Sequence, residues 1–126
     1  MIKKVLLIDD DLPTNIYHRI ILQDSALVEE IVDCLGVDEA MAILKSDQEP
    51  PDIIFLDINM PMKTGWDFLE EYSTLDASKR AKRIVMLSTT KMPMDLERAN
   101  KNFLVSTFFL KPLTIENIEQ LNKEIS

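Results

Sequence analysis

One cysteine, one histidine and two glycines occur among 126 residues, and basic side chains are outnumbered by acidic ones, 14 to 22. Each scarcity closes off a class of chemistry. A lone Cys34 excludes an internal disulfide and cannot build a multi-cysteine zinc site; it reads as a small buried apolar residue. His18 falls in a helical segment with no kinase-like surroundings, so it reads as a surface or packing residue. A formal net charge of -8 argues against nonspecific binding to nucleic acid or to an anionic membrane, because both repel an acidic surface. DNA would be regulated only indirectly. Met1-Ile2-Lys3-Lys4 leads into a short apolar run that ends at aspartates, which is neither a signal peptide nor a membrane span. The expected setting is a reducing cytoplasm. Repeats, low-complexity stretches and linkers are lacking, so residues 1–126 read as one domain that ends with its last helix and carries no output domain.

What is present is an alternation of apolar runs with amphipathic segments, and 46% of residues are apolar, enough for a single core. Strand-like runs cover Lys3 to Ile8, Val28 to Cys34, Asp52 to Leu56, Ile84 to Leu87 and Thr107 to Leu110. Helical segments cover Pro13 to Gln23, Val37 to Lys45, Gly65 to Leu75, Pro93 to Lys101 and Thr114 to Ile125. Pro13 and Pro93 sit where a first helical turn tolerates a missing amide hydrogen. Thr114 with Asn117 resembles a capping box only loosely, since asparagine replaces the acid. The fold expected is α/β, a doubly wound five-stranded parallel sheet of order 2-1-3-4-5 with five helices.

Polar groups end the apolar runs: Asp9, Asp10 and Asp11 after the first, Asp57 and Asn59 after the third, Lys111 after the fifth. In such a sheet all of them emerge at the carboxyl edge, where ligands bind, and strands one and three flank the switch point. Like charges about 4 Å apart repel by roughly 4 kcal/mol at an effective dielectric of 20, so three carboxylates in one crevice need raised pKa values or a cation. An all-oxygen crevice suits Mg²⁺, with Mn²⁺ as a possible substitute. Asp11 reads as the cap of the first helix rather than a ligand. Met60, Met62, Met92 and Met94 lie near this edge and read as packing residues, with an adaptable docking surface as the alternative.

The ordered set Asp9-Asp10, Asp57 with Met60-Pro61 and Gly65, Ser88, and Lys111-Pro112 resembles the receiver domain of two-component response regulators, of the CheY-like type, over nearly the whole chain. The resemblance implies that Asp57 accepts a phosphoryl group from a histidine kinase or a histidine phosphotransfer protein. It implies a Mg²⁺ site made by Asp10, Asp57 and the backbone carbonyl of Asn59, with Asp9 acting through water. It makes Ser88 and Lys111 the phosphate-binding and switch groups, and Asn59, Thr89 and Thr90 the residues that tune lifetime. It implies a target protein at the surface of the fourth helix, fifth strand and fifth helix; the bond before the proline is commonly cis in the family, but the sequence leaves cis or trans at Lys111-Pro112 open, and homodimerisation is open as well.

Three positions depart from the family pattern. Phe108 stands where tyrosine is frequent and has no hydroxyl to donate, so it is either a rotating packing element or a permanently buried strand residue. Thr89 is larger than the usual alanine or glycine. Asn102 replaces a helix-closing glycine, and asparagine tolerates the left-handed backbone that would keep the stop. Two rival functions are weaker. An aspartyl-nucleophile phosphatase of the haloacid dehalogenase type would need a second aspartate where Asn59 stands, and a cap domain. A flavodoxin-like module would need a glycine- and hydroxyl-rich loop after the first strand, where three aspartates would repel a phosphate.

Overall fold

The computed structural model describes residues 1–125. Five strands, β1 (Ile2–Ile8), β2 (Val28–Cys34), β3 (Ile53–Asp57), β4 (Arg83–Ser88) and β5 (Thr107–Leu110), form one parallel sheet in the order β2-β1-β3-β4-β5. Between them run α1 (Leu12–Asp24), α2 (Val37–Lys45), α3 (Gly65–Tyr72), α4 (Pro93–Lys101) and, last, α5 (Ile115–Ile125), with a short 3-10 turn at Ala77–Lys79.

The central strands read as unbroken apolar runs because both of their faces are covered. Leu6, Ile8, Ile54, Leu56, Ile84 and Met86 point into one core with Ala40, Leu44, Phe68 and Ala99 of α2, α3 and α4. Their neighbours Val5, Leu7, Ile53, Phe55, Val85 and Leu87 point into the other with Leu22 of α1 and Ile118 and Leu121 of α5. Each fully buried large aliphatic or aromatic side chain contributes about 1.5–3 kcal/mol, which makes these two layers the main source of stability.

Local chemistry sets the element ends. Asp11 caps α1 by accepting from the Thr14 N–H at 3.1 Å, as expected, and the helix therefore starts at Leu12. Thr114 and Asn117 do form a reciprocal pair, each side chain accepting from the other's backbone N–H at 3.1 Å. Thr64 and Asp67 make a capping box at α3. That helix stops at Tyr72, not Leu75, because the Ser73 and Thr74 hydroxyls donate back to the Glu70 and Glu71 carbonyls and compete with further helical bonding. The expected left-handed Asn102 is not found. Its backbone is extended (φ -92°, ψ 113°), and its side chain ends α4 by accepting from the Leu104 N–H instead.

Candidate functional site at the carboxyl edge

The crossovers place the end of β1 beside the end of β3, and the loops after β4 and β5 complete the rim. Asp9 and Asp10 follow β1, Asp57 is the last residue of β3, Ser88 is the last of β4, and Lys111 follows β5. One carboxylate oxygen from each of Asp9, Asp10 and Asp57 lies within 4.8 Å of the other two. The Lys111 ammonium donates to Asp9 Oδ2 at 2.6 Å and to Asp57 Oδ1 at 2.9 Å. Asp9 is further held by the Asp11 N–H on its Oδ1, at 2.9 Å. Both oxygens of Asp9 are thus engaged by protein donors, while Asp10 faces solvent.

Asp57 is 5% exposed. Burial pushes its carboxyl up to about 6, against the pull of the Lys111 hydrogen bond, and the neighbouring Asp9 and Asp10 charges push the same way. Burial alone would lower Lys111, but the hydrogen bonds to Asp57 and Asp9 more than reverse it, so the ammonium stays charged. A stability consequence follows. Between pH 4 and pH 6 the folded protein holds more proton at Asp57 than the unfolded chain does, so this group's contribution falls as pH rises through that window. In EDTA, urea unfolding should show Asp57→Asn gaining stability over the natural chain as pH goes from 4 to 6, by on the order of 1 kcal/mol once solvent screening is allowed for. A difference that stays flat with pH would contradict the raised carboxyl.

The loop after Asp57 is tied at both ends. Gly65 donates its N–H to the Ile58 carbonyl at 2.8 Å, and Lys63 bridges Asp38 and Glu71 at 2.7 and 3.1 Å. Asn59 is exposed beside the site. Met60 packs in the core, but Met62, Met92 and Met94 do not pack and lie exposed, which corrects the packing expectation for three of the four. Met62 takes a left-handed backbone (φ 67°) at the loop tip.

Ser88 is buried, and its Oγ accepts from the Thr90 N–H at 3.3 Å; Thr89 and Thr90 are exposed. Phe108 is half-buried against the α2/α3/α4 core, beside Met86 in the strand register. The Lys111 N–H donates to the Ser88 carbonyl at 2.8 Å, which ties the ends of β4 and β5, and the Lys111-Pro112 bond is cis. His18 is buried, not at the surface. Cys34 is buried and its thiol is pushed up to about 12, mainly by that burial, so it is inert.

Sequence reasoning missed two features of this edge. Asn15 is buried under the Asp9-Asp10 loop. Leu12, Ile16 and Ile20 of α1 lie about half exposed, at 53%, 51% and 47%, an apolar stripe on the outer face of the helix that starts at the site. Their i, i+4, i+8 spacing was visible, but that spacing ordinarily marks a core-facing stripe. Here Asn15, His18 and Leu22 face the core instead.

An open doubly wound sheet with three acids and a lysine at its switch point defines a variant of the flavodoxin-like fold whose ligand edge is acidic. Residues 5–123 match the family described as the response regulator receiver domain, and the chain belongs to that family. Receiver domains are signalling switches. The chain is 26% identical to the chemotaxis protein CheY of Bacillus subtilis over the full length of both. It is 31% identical to a protein-glutamate methylesterase/protein-glutamine glutaminase of Methanospirillum hungatei, covering 97% of this chain but 34% of that protein. It also covers 55% of a two-component response regulator of Arabidopsis thaliana at 26% identity, so it spans about a third of one of these two longer relatives and just over half of the other. Among solved structures, a two-component response regulator from Cytophaga hutchinsonii superposes with a TM-score of 0.89 at 29% identity, over 98% of this chain and 96% of that one. The described residues include no helix long and apolar enough to cross a membrane.

Proposed function

We propose that Asp57 is a phosphoacceptor and that its phosphorylation switches the chain's affinity for a partner protein. The Lys111 ammonium that joins Asp9 to Asp57 is the observation that carries this reading: it puts a fixed positive charge beside a carboxylate where an anionic donor must approach. An Asp57 carboxylate oxygen attacks the phosphorus of a phosphohistidine on a histidine kinase or phosphotransfer protein. The P–N bond breaks, its electron pair stays on the imidazole, and an acyl phosphate forms. Water attack at phosphorus later breaks the bond to Asp57 and releases inorganic phosphate.

The acidic cluster fits a hard divalent cation, Mg²⁺ or Mn²⁺, with Asp10, Asp57 and the Asn59 carbonyl as direct ligands and Asp9, already held by Lys111, acting through water. When bound, the cation would supply positive charge that offsets the clustered carboxylates and the donor's phosphate. Exposed Asn59 in the loop after β3 and exposed Thr89 and Thr90 in the loop after β4 tune hydrolysis. A phosphoryl group on Asp57 offers new acceptors to the Ser88 hydroxyl and to Lys111. Phe108 then repacks, and the surface of α4, β5 and α5 passes the change to a target.

A donor protein must cover the carboxyl edge to deliver its phosphohistidine, and the apolar stripe of α1 is the adjoining surface it would bury. Ile16→Asp is expected to slow transfer from the donor at least 10-fold while leaving uptake from acetyl phosphate within 2-fold, since one such desolvated charge costs more than 1.4 kcal/mol of docking. Equal slowing with both donors would remove α1 from the docking surface.

A further inference from the structure

We propose that Asn15 and His18 are positioning residues, each gripping the backbone of one half of the phosphoacceptor site: Asn15 the loop that carries Asp9 and Asp10, His18 the loop that follows Lys111. This rests on the phosphoacceptor reading above. Both side chains are 1% exposed and lie on the inner face of α1, three residues apart, where Leu22 continues the same face into the core.

Asn15 Nδ2 donates to two carbonyls, that of Asp9 at 3.0 Å and that of Cys34 at 3.3 Å. Cys34 belongs to the last pair of the β1–β2 ladder, with Ile8, and Asp9 lies one residue past it. The Asp9 N–H also donates to the Cys34 carbonyl, at 3.2 Å. The acid pair is thereby fixed at the point where the sheet can no longer hold it. The Asn15 Oδ1 is itself buried without a hydrogen-bond partner, a cost the residue carries while its Nδ2 serves both carbonyls. The amide is oriented to serve the two strand ends at the expense of its own oxygen.

His18 grips the opposite wall. Its Nε2 accepts from the Leu113 N–H at 3.3 Å, two residues beyond Lys111, and Leu113 is fully buried. With the Lys111 N–H bound to the Ser88 carbonyl, the segment 111–113 is pinned on both sides of Pro112. The acceptor role needs a neutral imidazole, and burial lowers the affinity of His18 for a second proton. One helix face therefore reaches both the acids and the lysine whose spacing sets the charge balance around Asp57.

The two grips have separable readouts in the full chain. Asn15→Leu is expected to weaken Mg²⁺ binding, measured by calorimetry, about 10-fold, while phosphoryl uptake from acetyl phosphate at saturating Mg²⁺ stays within 2-fold. His18→Leu is expected to do the reverse: Mg²⁺ affinity within 2-fold of the natural chain, and uptake at saturating Mg²⁺ slowed about 10-fold. His18→Gln, whose amide oxygen can take the place of Nε2, should recover most of that rate. If Asn15→Leu does not fold, Asn15→Ala carries the same expectation without added bulk. Folded variants with natural Mg²⁺ affinity and rate overturn the proposal, as does a His18→Gln no faster than His18→Leu. A natural chain that takes up no phosphoryl group overturns the phosphoacceptor reading and the His18 half with it, while the Mg²⁺ titration still decides the Asn15 half.

Discussion

Lys111→Met is expected to lose about 3 kcal/mol of stability in metal-free buffer near pH 7, and to slow phosphoryl uptake about 10²-fold with Mg²⁺ present. The ammonium is shared by two carboxylates, at 2.6 and 2.9 Å, in a site where Asp9 and Asp57 are both buried. Methionine keeps most of the volume and removes the charge, so two buried anions then face each other and exposed Asp10 with no counter-charge. Asp57 already holds its proton up to about pH 6 because of burial, and losing Lys111 pushes it further up. Divalent cation should restore most of the stability, since it would enter the same acidic cluster; a ligand at 100 times its Kd stabilises by about 2.7 kcal/mol. Urea unfolding with EDTA or Mg²⁺, beside initial rates with acetyl phosphate, checks both parts. A variant as stable as the natural chain in EDTA would mean that the Lys111 bridge carries no net energy.

Gly65→Ala is expected to cost about 1–3 kcal/mol and to slow phosphoryl uptake 10- to 100-fold, although residue 65 touches no phosphate ligand by its side chain. A Cβ at this position would lie 2.6 Å from the Asp57 carbonyl oxygen and 3.0 Å from the Ile58 Cα. Both are backbone atoms, so no side-chain rotation relieves the clash. Either the start of α3 moves away, breaking the Gly65 N–H bond to the Ile58 carbonyl, or Asp57 itself is displaced from Lys111. Backbone φ is not the issue here; close approach is. Gly36 supplies the control, because nothing lies within 4 Å of an added Cβ there, and Gly36→Ala should change uptake less than 2-fold. Equal rates for both variants would show that the α3 start yields without moving Asp57.

The doubly wound sheet was legible because its strands are buried on both faces and its polar groups fall at strand ends. Asp9, Asp10, Asp57 and Lys111 could be placed together from that pattern, Ser88 was added only by the resemblance to receiver domains, and the fold puts all five at one edge. Details fixed by side chain to backbone bonds were harder to read. Asn102 ends its helix through its side-chain amide oxygen and not through a left-handed backbone, two solutions that leave the same residue type in the sequence. The stop of α3 depends on which serine and threonine hydroxyls fold back onto the helix. Met62, Met92 and Met94 read as packing residues, yet Met62 sits at a loop tip, Met92 caps α4 and Met94 lies in its first turn, and all three are exposed. Polar Asn15 and His18 gave no periodic signal, because α1 inverts the usual rule by burying them and exposing Leu12, Ile16 and Ile20.

Intact-mass spectrometry after incubation with acetyl phosphate, with and without Mg²⁺, tests the phosphoacceptor claim most directly when the natural chain is run beside Asp57→Asn. One phosphoryl adduct on the natural chain only, and only with Mg²⁺, is the expected result. No adduct under any condition, together with no binding of beryllofluoride to exclude rapid hydrolysis, would contradict it and leave a receiver fold that works by constitutive binding.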